Sequence, residues 1–377
     1  MKRAMGVINL INEVDYLEVL HRNRCVAAVP FGGRYLLIVF ILSSMVISNM
    51  SKVAVFTHAK YRALMDHLGS GKAWDLDRKR GGMFVLPPDV DNRDEIAKGD
   101  LYQFHCQRDY FHRSRQDVVV VSRSHMVCSI NLEPAIAQHL ESGADITMVC
   151  KQTDNEKHSH ARRIRLDEHG RIVEMQDHNG RLNSPFVSME IFIMTKAFLL
   201  DLVETSLAQG YDHFVRDAIM KNMHRLNIRA YQYDGYLGVI NTIPSYFRHS
   251  MNLLNPDVRR ELFMKSGRIF TKIKDEPPSR YDQQSSVRGS LIANGCVIEG
   301  TVENSIVFRG VRIGKGAVVR NSIVLQNGEI LPGAEVSNAI LDKDVKVLGG
   351  TTLQGDPTAP YLAVKRSVIG TESGAGV

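Results

Sequence analysis

In the first two thirds of the chain, apolar positions fall in short unbroken runs separated by amphipathic stretches. Val53–Thr57, Val118–Ser122, Ile146–Cys150 and Ile191–Met194 are too short for helices and rich in β-branched side chains, which predicts buried strands. Glu133–Leu140 and Phe198–Leu207 have the helical spacing of apolar and polar residues. This alternation predicts an α/β domain, a mostly parallel sheet covered by helices on both faces, with ligands outside the C-terminal strand ends. The longest apolar run, Leu36–Ile47, is short of the roughly 20 residues that cross a bilayer and predicts a buried helix. Around Asp167–Gly170 the pattern becomes a hairpin, Arg163–Leu166 against Arg171–Met175, decorating the sheet.

A helical stretch runs from Tyr246 to Lys265, and Lys274-Asp-Glu-Pro-Pro-Ser279 then imposes extended backbone. Beyond Val287 the period changes again. Val307, Ile313, Val319, Leu325 and Leu331 recur every six residues with Gly310, Gly314, Gly316 and Gly328 between them. That spacing fits neither a helix nor an alternating strand but fits a triangular solenoid of hexapeptides, a left-handed parallel β-helix. Its flat sides commonly serve as subunit interfaces. The division is an α/β domain over 1–250, a helical, proline-containing linker over 251–285 and the β-helix over 286–377.

The 377 residues suffice for two domains with cores of their own, and 44% hydrophobic positions exclude a disordered chain. The net charge of +6 invites a nucleic-acid reading, but the basic residues are interleaved with acids, as in Asp75–Arg80 and Asp91–Lys98, so no binding patch is concentrated. Five cysteines, widely spaced and without a CxxC, suggest neither a disulfide framework nor a zinc site and read as reduced thiols of a cytoplasmic protein. The N-terminus lacks the continuous apolar core of a secretory signal, so no export and no membrane span are expected. His158, His160, His169 and His178 match no metal-ligand spacing and read as a solvated hairpin. Ser124 and His125 are adjacent on an extended segment and point apart, which excludes a nucleophile–base pair. The last histidine, His249, precedes the solenoid, against the histidine-dependent acyl transfer of many hexapeptide proteins.

Three segments then narrow the reading: Ala28-Val-Pro-Phe-Gly-Gly-Arg34, Tyr61-Arg-Ala-Leu-Met-Asp-His-Leu-Gly-Ser-Gly-Lys72 and Trp74-Asp-Leu-Asp-Arg-Lys-Arg-Gly-Gly82. Together with Glu133-Pro134, Gly143-Ala-Asp145, Ser188-Met189 and Gly235-Tyr236 in that order, they resemble the bacterial ADP-glucose pyrophosphorylase (glucose-1-phosphate adenylyltransferase) family over nearly the whole chain. The resemblance implies a nucleotidyltransferase (Rossmann-like) mixed-sheet domain followed by the β-helix. It also implies chemistry that joins a sugar 1-phosphate to the α-phosphate of ATP, which needs Mg²⁺ on carboxylates, cations and a glycine-rich phosphate loop.

At the positions matching that machinery the sequence departs from the family pattern. Ile8-Asn-Leu-Ile-Asn-Glu13 replaces the glycine-rich loop, and Val26 stands where the family has a lysine. Ser124 replaces the aspartate of a Gly-Asp-His motif, His178 a sugar-site lysine and Glu190 a glycine. In His213-Phe-Val-Arg-Asp217 the first acid is lost and a cation is kept at Arg216. Val239 replaces the last metal-binding aspartate, and Val39 replaces a further aspartate. No catalytic and no metal-ligating residue is therefore expected, with Val26, Ser124, His213 and Val239 as the degenerate positions. The pattern resembles the D-type regulatory glycogen biosynthesis subunit of Gram-positive bacteria. By resemblance, Arg34 and His67 are candidates for contact with a sugar-phosphate effector or a partner, although Leu36 replaces the second regulatory arginine.

The resemblance thus implies a regulatory, largely non-catalytic subunit of glucose-1-phosphate adenylyltransferase in bacterial glycogen biosynthesis. It requires no cofactor of its own, with Mg²⁺ and ATP expected at a catalytic homologue in a heterotetramer. A competing reading is a competent sugar-1-phosphate adenylyltransferase that recruits unusual ligands such as Asp212, Asp217 or Asp234. A third is a homo-oligomeric sugar-phosphate sensor.

Overall fold

The computed structural model describes residues 4–13, 17, 20, 22–57, 60–88, 99–153, 161–177 and 182–370. His158, His160 and His178, expected on a solvated hairpin, lie outside them, and His169 sits exposed in the turn of the predicted hairpin.

Four parallel strands begin the sheet: β1 (Ala4–Asn9), β2 (Lys52–Phe56), β3 (Gly82–Leu86) and β4 (Val118–Ser122). β1 pairs with β2 on one side and β4 on the other, and β3 lies beyond β2. Then come β5 (Ile146–Gln152), β6 (Arg163–Leu166), β7 (Ile172–Gln176), β8 (Phe186–Thr195) and β9 (Ile228–Gln232). The order is β7-β6-β8-β4-β1-β2-β3, with β5 joined to β8 and β9 joined to β5. β8 runs antiparallel to β4, β5 and β6, so the sheet is mixed and not mostly parallel. The β6–β7 hairpin reverses the chain, and β8 keeps the direction of β7, since both are antiparallel to β6, which lies between them. The β6–β7 hairpin is likewise the edge of this sheet and not an ornament on it.

The helices are α1 (Ile38–Ile47), α2 (Arg62–Leu68), α3 (Asp100–Cys106), α4 (Arg108–His112), α5 (Glu133–Ser142), α6 (Lys196–Ala208), α7 (Ile243–Met251) and α8 (Pro256–Arg260). α1, apolar nearly all round, is buried nearly all round. Val39 is part of that core. Gly6 lets α1 close on β1, because a Cβ there would stand 2.4 Å from the Met45 sulfur. Thr195 caps α6 by accepting the Phe198 N–H, and Thr242 with Ser245 forms a capping box on α7. No helix among the described residues is long and apolar enough to cross a membrane.

From Arg280 the chain winds into three parallel ladders. One passes through Arg280–Tyr281, Val297–Ile298, Arg312–Ile313, Glu329–Ile330, Lys346–Val347 and Val368–Ile369. A second runs from Ser286–Arg288 to Thr352–Gln354, and a third from Leu291–Ile292 to Tyr361–Ala363. This is the hexapeptide β-helix, and its first strand, Arg280–Tyr281, falls within the stretch read as linker. Its interior serines repeat every 17 residues, one short of three hexapeptides. The Ser322 N–H donates to Ser305 Oγ and the Ala339 N–H to Ser322 Oγ, both at 3.1 Å.

Alternation along the third ladder joins the two domains. Val307, Val324 and Leu341 point into the solenoid, whereas Ile306, Ile323 and Ile340 point out into the core that contains α1 and Tyr246. Beside them Arg24 Nη2 lies 2.9 Å from both carboxylate oxygens of Asp342, with side chains 5% and 1% exposed.

Candidate functional site

Two places merit a chemical reading: the crevice at the C-terminal ends of β1 and β4, and a cleft between the domains. At the crevice, β1 and its continuation bring Asn9, Ile11 and Glu13 against Arg123 and Ser124, which follow β4. The Arg123 guanidinium donates to the carbonyls of Asn9 (3.2 Å) and Ile11 and to Asp100 Oδ2 (3.0 Å). The Asn9 amide reaches the same Asp100 oxygen at 2.9 Å, and Asp100 Oδ1 accepts the Phe214 N–H at 2.7 Å. Ser124 donates its N–H and hydroxyl to Glu13 Oε1 at 3.1 and 2.5 Å. Burial raises the Glu13 pKa against the lowering effect of these bonds and of Arg123.

Across the crevice, Arg162 Nη1 donates to both Glu190 oxygens at 2.5 and 2.6 Å, and its Nε to Asp177 at 2.8 Å. Glu190 sits at a register shift in β8 with φ of 54°, a left-handed conformation that costs a non-glycine residue roughly 1–2 kcal/mol. Its carbonyl accepts the Arg123 N–H, which ties the two networks together. The neighbouring His125 is drawn down to about 4 by burial, with Arg123 and Arg162 adding and Glu190 opposing.

The predicted degenerate positions surround this crevice. Val26 and Val239 are buried and apolar, the latter in a two-residue strand paired with Met126. His213 holds its ring 3.1 Å from the Asn12 amide nitrogen. The alternative ligand Asp217 is already used: its Oδ2 accepts the N–H of His213 at 2.9 Å, and Lys221 stands 2.9 Å from Oδ1. Burial opposes its charge, but Lys221 and the N–H groups of His213 and Asp212 prevail and hold it at about 2. Asp212 and Asp234 are exposed. Among the described residues, no group of three or more His, Cys, Asp or Glu side chains is arranged to hold a metal ion. The crevice carboxylates Asp100, Glu190 and Asp217 are each held by a cation of the chain itself, an arrangement that does not fit a Mg²⁺ site.

The second place is a cleft of about 400 Å³ where the β-helix meets α2 and the turn after Phe31. That turn is made by Gly32 and Gly33, with φ of 58° and 83°. It sends Arg34 into the cleft, where His67 from α2, Lys272, Lys274, Arg309 and Lys343 also converge. Asp66, Glu276 and Asp344 offset this charge in part. A neighbouring cavity of about 440 Å³ shares Arg34, Lys274 and Arg309 and adds Arg268. Burial, then Lys272, Arg309, Lys274 and Lys343, pull the His67 pKa down to about 4. Burial and Arg24 pull Lys343 to about 8, with Asp342 opposing. The buried Gln326 Oε1 has no hydrogen-bond partner and belongs to a residue lining the cleft. Arg34 and His67, named from the sequence, thus share one site. Lys272, Lys274, Arg309 and Lys343 were missed, since they come from the linker and the solenoid.

Comparison with known proteins matches residues 17–251 to the nucleotidyl transferase family and 277–371 to the GlmU-like C-terminal hexapeptide. The chain is 42% identical to the glycogen biosynthesis protein GlgD of Geobacillus stearothermophilus, over 84% of this chain and 83% of that one. It is 39% identical to GlgD of Bacillus subtilis, over 83% and 82%. The chain belongs to the glucose-1-phosphate adenylyltransferase family, on its GlgD branch. It is 34% identical to the glucose-1-phosphate adenylyltransferase of Thermotoga neapolitana, over 80% of this chain and 73% of that enzyme. In this GlgD-like chain both family modules are present. The carboxylates described at its strand-end crevice are bound to the chain's own donors.

Proposed function

We propose that this chain is a regulatory, non-catalytic subunit of a glucose-1-phosphate adenylyltransferase assembly in bacterial glycogen synthesis, paired with a catalytic homologue. The observation that carries the reading is the state of the crevice carboxylates. Asp100, Glu190 and Asp217 are each satisfied by an arginine, a lysine or a backbone N–H, and Val239 and Val26 offer nothing to a metal or a phosphate. Without compensating charge, adenylyl transfer lacks the electrostatic stabilisation it depends on.

The subunit contributes instead a basic cleft at the domain boundary. A sugar phosphate bound by Arg34, Lys274, Arg309 and Lys343 touches both domains at once and so favours one arrangement of the pair. Any arrangement that also fits the catalytic neighbour better is transmitted as a coupling free energy. The test is the rate of the co-expressed pair as sugar phosphate is titrated, with this chain either intact or carrying Arg309→Ala. The expected result is a response that weakens at least tenfold in apparent affinity with the variant. A response indifferent to Arg309→Ala and Lys274→Ala contradicts the assignment of the cleft.

A further inference from the structure

The strand-end crevice has a feature that loss of catalytic residues alone does not require. In an open α/β sheet, ligands bind outside the C-terminal strand ends where the strand order reverses, and here that point lies at β1, between β2 and β4. A phosphate is held at such a point by converging backbone N–H groups. Among the described residues, the groups that converge here are carbonyls, those of Asn9 and Ile11, and a guanidinium lies between them. The polarity of the loop is inverted: it is built around a cation. Across the crevice, Glu190 keeps a left-handed backbone that glycine would adopt without cost. Such strain persists only where the surroundings over-determine it. Here the Glu190 carboxylate holds Arg162 with both oxygens, and its carbonyl holds the Arg123 N–H.

We infer that Arg123 and the Arg162–Glu190 pair are built-in occupants of this crevice, which fill the place of a nucleotide or sugar phosphate and keep both out while holding the crevice in shape without either. To admit a triphosphate, Arg123 would have to leave Asn9, Ile11 and Asp100, and the loop would have to turn its carbonyls away. To admit a sugar phosphate, its negative charge would have to approach Glu190 and Asp177. The side chains of Arg123 and Asp100 are only 12% and 1% exposed, so little water screens the pair. The inference deepens the non-catalytic reading but is tested on this chain alone.

The experiment titrates the wild-type chain and Glu190→Gly with MgATP and with glucose 1-phosphate by calorimetry, and locates binding by hydrogen exchange. Wild type is expected to show no protection at residues 5–13, 118–126 or 186–191 at millimolar ligand. Protection confined to 272–276 and 309 agrees with this, since it reports the cleft. Glu190→Gly removes the strain and frees Arg162, and is expected to bind glucose 1-phosphate at the crevice at least tenfold more tightly than wild type. Crevice protection in wild type overturns the inference, as does a Glu190→Gly chain with a native melting transition and no gain in binding. Should that variant not fold, the wild-type arm decides. Binding at the wild-type crevice without pyrophosphate release would remove this inference and leave the regulatory reading standing, whereas turnover would remove both.

Discussion

Arg24 and Asp342 meet at the domain boundary with almost no water around them, so each depends on the other for compensation. Asp342→Ala leaves a buried guanidinium whose Nη1 already has no partner, and is expected to cost about 3–5 kcal/mol in urea unfolding. A loss below about 1 kcal/mol would mean that water reaches the pair. His125 and His67 make the stability acid-sensitive. Burial first, and cationic neighbours after it, lower both to about 4, whereas an unfolded imidazole titrates near 6.5. The unfolded chain therefore takes up protons first, so stability falls as the pH drops from about 6.5 towards 4. The melting temperature should be lower at pH 5 than at pH 7.5, and His125→Gln should flatten that dependence. A profile level across this range in the wild type contradicts the burial of both rings.

At the scale of elements, the close approach of α1 to β1 is tested by Gly6→Ala, whose Cβ meets Met45. The added methyl is expected to cost about 1–3 kcal/mol. Where the solenoid docks, Ile323→Ala opens a cavity in the shared core and should cost about 2–5 kcal/mol. Unfolding should then separate into two transitions if this contact is what makes the domains melt together. Much of this architecture was legible. Val118–Ser122 forms a strand as its run of valines predicts, and Leu36–Ile47 holds a helix that begins at Ile38. The direction of β8 was not legible, because a continuous apolar run is the same read either way, and β8 takes its direction from the reversal at the β6–β7 hairpin. The docking face was missed for a related reason. The six-residue period marks inward residues at Val307, Ile313 and Val319, but at Leu325 it falls in the docking core, because Val307 stacks on Val324 at a spacing of 17 and not 18; the outward signal is the second apolar residue beside each inward one, Ile306, Ile323 and Ile340.

For the whole molecule, the cleft between the domains gathers charge from α2, the turn before α1, the linker and the solenoid. Arg34 and His67 were reached through a resemblance in two segments, Ala28–Arg34 and Tyr61–Lys72. Lys272 and Lys274 of the linker and Arg309 and Lys343 of the solenoid are far in sequence from Arg34 and His67 and meet them only in the folded chain. The filling of the crevice was not readable either, since it depends on which way two backbone carbonyls point. Burial and Arg24 hold Lys343 at about 8, so a phosphate in the cleft meets less positive charge above that pH. Sugar-phosphate affinity is expected to fall as the pH rises from 7 to 9, and less steeply in Lys343→Arg. The central claim, that this chain modulates a reaction it does not perform, is tested most directly by Mg²⁺-dependent pyrophosphate release from ATP and glucose 1-phosphate. The samples are this chain alone, its catalytic homologue alone, and the two co-expressed. Silence from this chain by itself and a changed rate or substrate affinity in the pair are expected; turnover by this chain alone at a rate like its homologue's would contradict a modulating, non-catalytic role.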